Sequence, residues 1–389
     1  MHIGIFAERF VGRYGADRVG VIMAEMLRQR GHRVTLIGVH FSNPVLARFS
    51  GHTLRVPNFA PKEPEAKTLR YFKNTHYYRK RHLPAFDLCI VGSYPFITAI
   101  PYLQEIAPQG VLFIDYGVVP TEGYDPYVVQ MIEAVRHHRR ENLRHASHII
   151  AISDFLAREQ SRPDCQDRVP VSTVLLGADH LVSRLGYTEE ATHNLDPTQL
   201  PQERSYTLRL LDRLRHDRRK LILVLGRWEP NCYKNSLAAF AVMRHLIDYE
   251  PDAVLLPLFP PDHFSVPPEL KSHVCCLGLP SDADLLEVVR QIDAGISVSL
   301  WEGFNLPLAE LQQMGKAAFA YRVGAHPEVV VSPEQLCSSP EEMGWKLYQT
   351  LAADSRPTWL DSEANLAWKD RFSWRRFLEE FLPLVERAA

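Results

Sequence analysis

The run from Gly295 to Pro327, GISVSLWEGFNLPLAELQQMGKAAFAYRVGAHP, constrains this chain more than any other stretch. It reads as strand, turn, helix, strand, turn. Gly295 to Leu300 is an apolar run of strand length. Gly303 and Pro307 are turn signals. Pro307 suits the first helical position, where its missing N–H would be unpaired in any case. Leu308, Leu311 and Met314 continue the helix, and Gly315 is a natural stop. Ala317 to Tyr321 supplies the next strand.

The chemistry of this unit follows from its carboxylates and its helix start. The first backbone amides, in the stretch Asn305 to Leu308, combine with the helix dipole into an anion site suited to a diphosphate. Glu310, about one turn past Pro307, is placed to accept hydrogen bonds from ribose hydroxyls. Glu302, at the end of the strand, can do the same for a second polyol. The residues therefore describe a phosphate flanked by two sugars, which is a nucleotide sugar. The plain alternative is a strand–helix–strand unit with two surface glutamates.

Two glutamates with seven residues between them in EGFNLPLAE resemble the signature of glycosyltransferase family 4, a group of retaining GT-B enzymes. Asn305 stands where that family usually has glycine. The resemblance implies that Glu310 holds the ribose and that Glu302 lies near the donor sugar. It also implies that the amides of Gly303, Phe304, Asn305 and Leu306 meet the diphosphate. Upstream, Gly226-Arg227-Trp228-Glu229-Pro230 with Lys234-Asn235 resembles the turn in which an Arg and a Lys clamp that diphosphate. Arg suits bidentate phosphate contact and Lys acts as a point charge.

The first half carries a weaker version of the same likeness. YGADRVGVIMAEMLRQRGHRVTLIG resembles the family's opening strand–loop–helix unit, with Gly12 and Gly15 as the glycine loop. SHIIAISDFLAREQ and Gly177-Ala178-Asp179 resemble later parts of the first domain, and DRFSWRRFLEEFLPLVERA resembles the last helix. Asp115 falls at the carboxyl end of a buried strand, Val111 to Asp115, where open α/β sheets place ligands. The family's usual His-Asp pair is here Ile114-Asp115. Asp115 is thus a candidate catalytic residue beside Glu302, a loop cap is the bland reading, and the donor phosphate is an alternative proton acceptor.

Composition narrows the classes. At 389 residues, 46% apolar and 23% charged, the chain suits two globular domains. No run reaches the roughly 20 apolar residues of a membrane span, and MHIGIFAERF reads as a first strand, so a cytoplasmic protein is expected. Six cysteines show no C-x-x-C spacing, which gives a zinc or redox site little support. The D-x-D at Asp282–Asp284 is read as the first turn of a helix capped by Ser281, so no metal is expected.

Residues 1–185 carry 23 Lys and Arg against 17 Asp and Glu, and the remainder 21 against 29. A basic, aromatic run from Lys62 to His82 adds to the first half. It reads as a solvated helix with one packed side, or as a surface for an anionic acceptor or lipid. No nucleic-acid recognition motif accompanies it.

The expected fold is α/β of the GT-B type, two Rossmann-like domains facing across a cleft. The expected divisions are an acceptor domain at 1–185, a linker or insertion at 186–217, a donor domain at 218–372 and a returning helix at 373–389. The implied function is transfer of a sugar from a UDP- or GDP-linked donor to a hydroxyl of a glycan, lipid or small molecule, with no cofactor. Alternatives are a related phosphorylase or epimerase, or a non-catalytic partner that binds nucleotide or glycan.

Overall fold

The computed structural model describes residues 1–11, 15–56, 84–92, 96–181, 205–229, 231–258, 266–278, 280–352 and 357–387. Gly12 and the basic stretch Lys62 to His82 lie outside the described residues. The chain divides into two compact units, Met1–Leu176 with Arg375–Ala389, and Gly177–Trp374.

The first unit is built on a parallel sheet of seven strands: β1 His2–Phe10, β2 Arg33–Phe41, β3 His52–Arg55, β4 Leu88–Val91, β5 Val111–Asp115, β6 His148–Ala151 and β7 Val171–Thr173. Their order is β3-β2-β1-β4-β5-β6-β7, so the chain works outward from β1 in both directions. Such a reversal of direction is the switch point at which doubly wound sheets carry ligands. Apolar side chains fill both faces, as parallel strands require; all of Leu88–Val91 and Val111–Asp115 is buried. Gly15 begins the helix Gly15–Gln29, whose Val19, Ile22, Met23, Met26 and Leu27 are buried at helical spacing.

The second unit has five parallel strands: β8 Lys220–Val224, β9 Ala253–Pro257, β10 Ala294–Ser297, β11 Ala317–Tyr321 and β12 Leu336–Cys337, in the order β12-β11-β10-β8-β9. Phe240, Met243, Leu246, Ile296, Phe319, Met343 and Leu347 belong to its core.

The stretch read as a linker or insertion contains the helix Tyr206–His216, which belongs to the second unit. Ser205 caps it, Thr207 Oγ1 donates to Leu277 O at 2.8 Å, and Arg215 meets Asp293 at 2.9 Å. The helix Pro126–Asn142 buries His138 and Arg139 among its charged residues.

The units divide after Leu176 and again after Trp374. The helix Trp374–Arg387 therefore lies, except for its first residue, in the first unit; Phe377, Phe381 and Val385 form its buried stripe. No helix among the described residues is long and apolar enough to cross a membrane.

Candidate functional site

The site in the second unit is assembled by two segments stitched together after their strands. After β8 the chain turns at Gly226, which has φ +90°. Ser236 Oγ accepts from Glu229 N at 2.8 Å and donates to Arg227 O at 3.4 Å, closing the loop on itself. The loop is then fastened to the stretch after β10. Leu300 N donates to Tyr233 O at 2.7 Å, and Asn235 Nδ2 donates to Val298 O at 3.2 Å. Asn235 adopts φ +50°, which asparagine tolerates better than most residues.

This stitching brings Lys234 and Glu302 together: Nζ lies 2.6 Å from Oε1, with both side chains mostly buried. Burial pulls the Lys234 pKa down and the Glu302 carboxylate pushes it up, and the net direction is up. The ammonium is therefore held charged. Its Nζ also sits 5.0 Å from the Tyr233 ring centroid. Arg227 is more exposed and lies 3.3 Å from Glu229. Opposite, Gly324 at φ +54° allows the Glu302 backbone to approach: a Cβ there would fall 2.5 Å from Glu302 O.

The helix after Glu302 runs Leu306–Gln313, with Asn305 as N-cap and Pro307 in the second helical position. Asn305 has φ +74°, the left-handed region that favours glycine. Asparagine is the non-glycine residue that best tolerates it. Asn305 also uses its amide fully. Oδ1 accepts from Leu308 N at 3.3 Å, and Nδ2 donates to Ser297 Oγ at 2.9 Å and to His326 Nε2 at 2.8 Å.

His326 is fully buried and donates from Nδ1 to Tyr321 O at 2.7 Å, so Nε2 is the acceptor. Burial pushes its pKa below the usual value, against the Glu302 carboxylate and the Tyr321 carbonyl, which act upward. Phe304 and Leu306 bury their side chains, Phe304 against Phe372 at 5.8 Å. Only their backbone is left to meet a ligand. Glu310 is nearly buried, and its Oε1 lies 3.0 Å from His180 Nε2.

Asp115 requires a correction. In the first unit its carboxylate is fully buried and receives four hydrogen bonds: two from Arg139, at 2.7 Å each, one from Ser161 Oγ at 2.6 Å and one from Gly117 N at 2.8 Å. Burial pushes its pKa up, but Arg139, Ser161 and Gly117 outweigh it and hold the carboxyl below the usual range. Arg139 also binds Asp164 at 2.6 Å. A carboxylate so engaged is a structural anchor, not an available acid or base. Ile114, in the place of the expected His, is buried as well.

Arg139, His180 and His326 were not singled out from the sequence. His326 lies inside the Gly324-to-Glu328 turn and His180 directly follows Asp179, so position beside a motif was the available signal. Among the described residues no group of three His, Cys, Asp or Glu side chains is arranged to hold a metal ion. Ser281 caps the helix Asp282–Gln291 by accepting from Asp284 N.

No family model and no curated protein matches this sequence. Solved structures match along the whole chain. A glycosyltransferase from Rickettsia africae superposes with a TM-score of 0.66 at 16% identity, covering 100% of this chain and 98% of that one. HepE of Anabaena, in complex with UDP and glucose, gives 0.68 at 14% identity, covering 100% of both. Sucrose-phosphate synthase from Thermosynechococcus elongatus gives 0.69 at 16% identity, with 99% and 98% covered. These likenesses show the fold: the chain has the α/β GT-B architecture of glycosyltransferases.

Proposed function

We propose that this chain is a retaining glycosyltransferase of family 4, moving a sugar from a UDP- or GDP-linked donor to a hydroxyl of a glycan, lipid or small-molecule acceptor. The observation that carries this reading is the 2.6 Å contact of Lys234 with Glu302 beside the Asn305-capped helix that holds Glu310. HepE, similar in fold, has been solved with UDP and glucose and with UDP-glucose.

In this reading the diphosphate meets the amides of Gly303 to Leu306 and the positive end of the helix. Lys234 has three donors, enough to serve both Glu302 and a phosphate oxygen, and Arg227 adds a guanidinium. As the anomeric C–O bond breaks, negative charge grows on the diphosphate, and these preorganised groups stabilise it without a metal ion. Glu302 faces the donor sugar and the positive charge developing on it. Glu310 takes the ribose. With Asp115 committed to Arg139, the departing phosphate oxygen is the base that receives the acceptor's proton.

The occupied Asp115 and the missing His before it also favour a second reading, a nucleotide-binding partner without activity of its own. Turnover of donor and acceptor by the purified protein alone excludes it. The test of the donor site is a thermal-shift panel of UDP, GDP, ADP, CDP and dTDP. A nucleotide at 100 times its Kd stabilises the fold by about 2.7 kcal/mol. One base standing out is the expected result; no shift with any of them contradicts the proposal.

A further inference from the structure

His180 Nε2 lies 3.0 Å from Oε1 of Glu310, the carboxylate assigned to the ribose above. We infer that His180 is a positioning residue that fixes the Glu310 carboxylate for the ribose diol and makes the site selective for ribonucleoside over 2′-deoxyribonucleoside diphosphates. The inference rests on the donor-site reading above.

The geometry runs through three side chains of the second unit. Trp374 Nε1 donates to His180 Nδ1 at 3.2 Å, and His180 Nε2 lies 3.0 Å from Glu310 Oε1. An indole N–H is only a donor. His180 Nδ1 must therefore be the acceptor, which places the imidazole proton on Nε2, aimed at Glu310. The tautomer is set at one end of the ring and used at the other.

His180 is itself immobilised. It is 2% exposed and lies in the turn Asp179–Leu181. Asp179 Oδ1 accepts from Trp374 N at 2.8 Å, and Ala178 N donates to Phe372 O at 2.9 Å. Gly177 permits this approach, since a Cβ there would lie 2.5 Å from Trp374. On the other side Gln313, from the same helix as Glu310, donates to Lys369 O and Phe372 O at 2.9 Å each. The turn, the Trp374 segment and the Glu310 helix thus form one locked assembly.

A glutamate has three side-chain torsions, and ordering them on binding weakens the ligand contact. With Oε1 fixed by His180, the carboxylate is preorganised to accept from vicinal hydroxyls. A ligand that lacks the 2′-hydroxyl offers the fixed carboxylate one donor fewer, and a site built to hydrogen-bond a hydroxyl discriminates against the analogue that lacks it.

The experiment is calorimetric binding of UDP and 2′-deoxy-UDP, and of GDP and 2′-deoxy-GDP, to wild type, His180→Ala, His180→Gln and Trp374→Phe. Wild type is expected to prefer the ribonucleotide of the better-bound base by about tenfold or more. His180→Ala should collapse that ratio to near one. His180→Gln, whose amide can reach the Nε2 position, should restore most of it, and Trp374→Phe, which keeps the packing but removes the N–H, should reduce it.

A purely structural role would weaken both nucleotides equally and leave the ratio unchanged. An unchanged ratio in His180→Ala, or in Trp374→Phe if the alanine variant does not fold, overturns the inference while the donor reading stands. Equal binding of the two sugars by wild type does the same. Wild type binding none of the four overturns both.

Discussion

Arg139 and Asp115 form a two-pronged ion pair, 2.7 Å on each prong, with neither side chain appreciably exposed. It ties the end of β5 to the helix Pro126–Asn142, and through Asp164 to the segment after β6. Arg139→Met would strand the Asp115 charge in the interior, and losing one partner of a buried pair costs about 3–5 kcal/mol. Chemical denaturation should show this loss. Because the Asp115 pKa is depressed in the fold, the pair's contribution is present above about pH 4 and disappears as pH falls through the folded value. An Arg139→Met variant of wild-type stability would remove the anchoring role.

Asn305 should tolerate glycine better than alanine. Glycine accepts φ +74° but abandons the cap and leaves His326 Nε2 without its donor, at about 1–3 kcal/mol. Alanine has the same losses plus about 1–2 kcal/mol of left-handed strain. Equilibrium unfolding of the two variants checks the order; equal stability would mean that backbone conformation is not limiting here.

His326 gives the second unit a pH dependence near neutrality. Its folded pKa lies below the unfolded value of about 6.5, so the unfolded chain binds more protons as the medium acidifies. The stability linked to His326 is therefore whole above about pH 6.5 and is lost as pH falls through the folded pKa. The facing groups are Asn305, the Tyr321 carbonyl, Glu302 and Lys234. Melting temperatures between pH 5 and 8 should fall on the acid side, and His326→Gln should flatten that slope. An unchanged slope would assign the effect to other groups.

What the sequence disclosed was what short-range pattern carries. β5 and β11 read directly as apolar runs, and Ser281 announced its helix because a cap acts within three residues. Glu302 precedes the helix start and Glu310 lies within the helix, an order that the local spacing carries. The buried pairings were not legible. Arg139 lies 24 residues from Asp115, and His180 lies 194 from Trp374. An arginine among other charged residues on a helix looks solvated until the fold supplies a buried carboxylate. The helix Tyr206–His216 falls in the stretch read as a linker or insertion, and its anchoring depends on Leu277 and Asp293, far along the chain.

The most direct test of the account is the release of nucleoside diphosphate from UDP- and GDP-sugars by wild type and by Glu302→Gln. The variant keeps the shape and removes the charge that faces Lys234 and, in the proposed function, the donor sugar. Turnover should fall by about a hundredfold or more, while the nucleotide that stabilises wild type continues to bind. Full activity in Glu302→Gln would contradict the assignment of this pair to the chemistry.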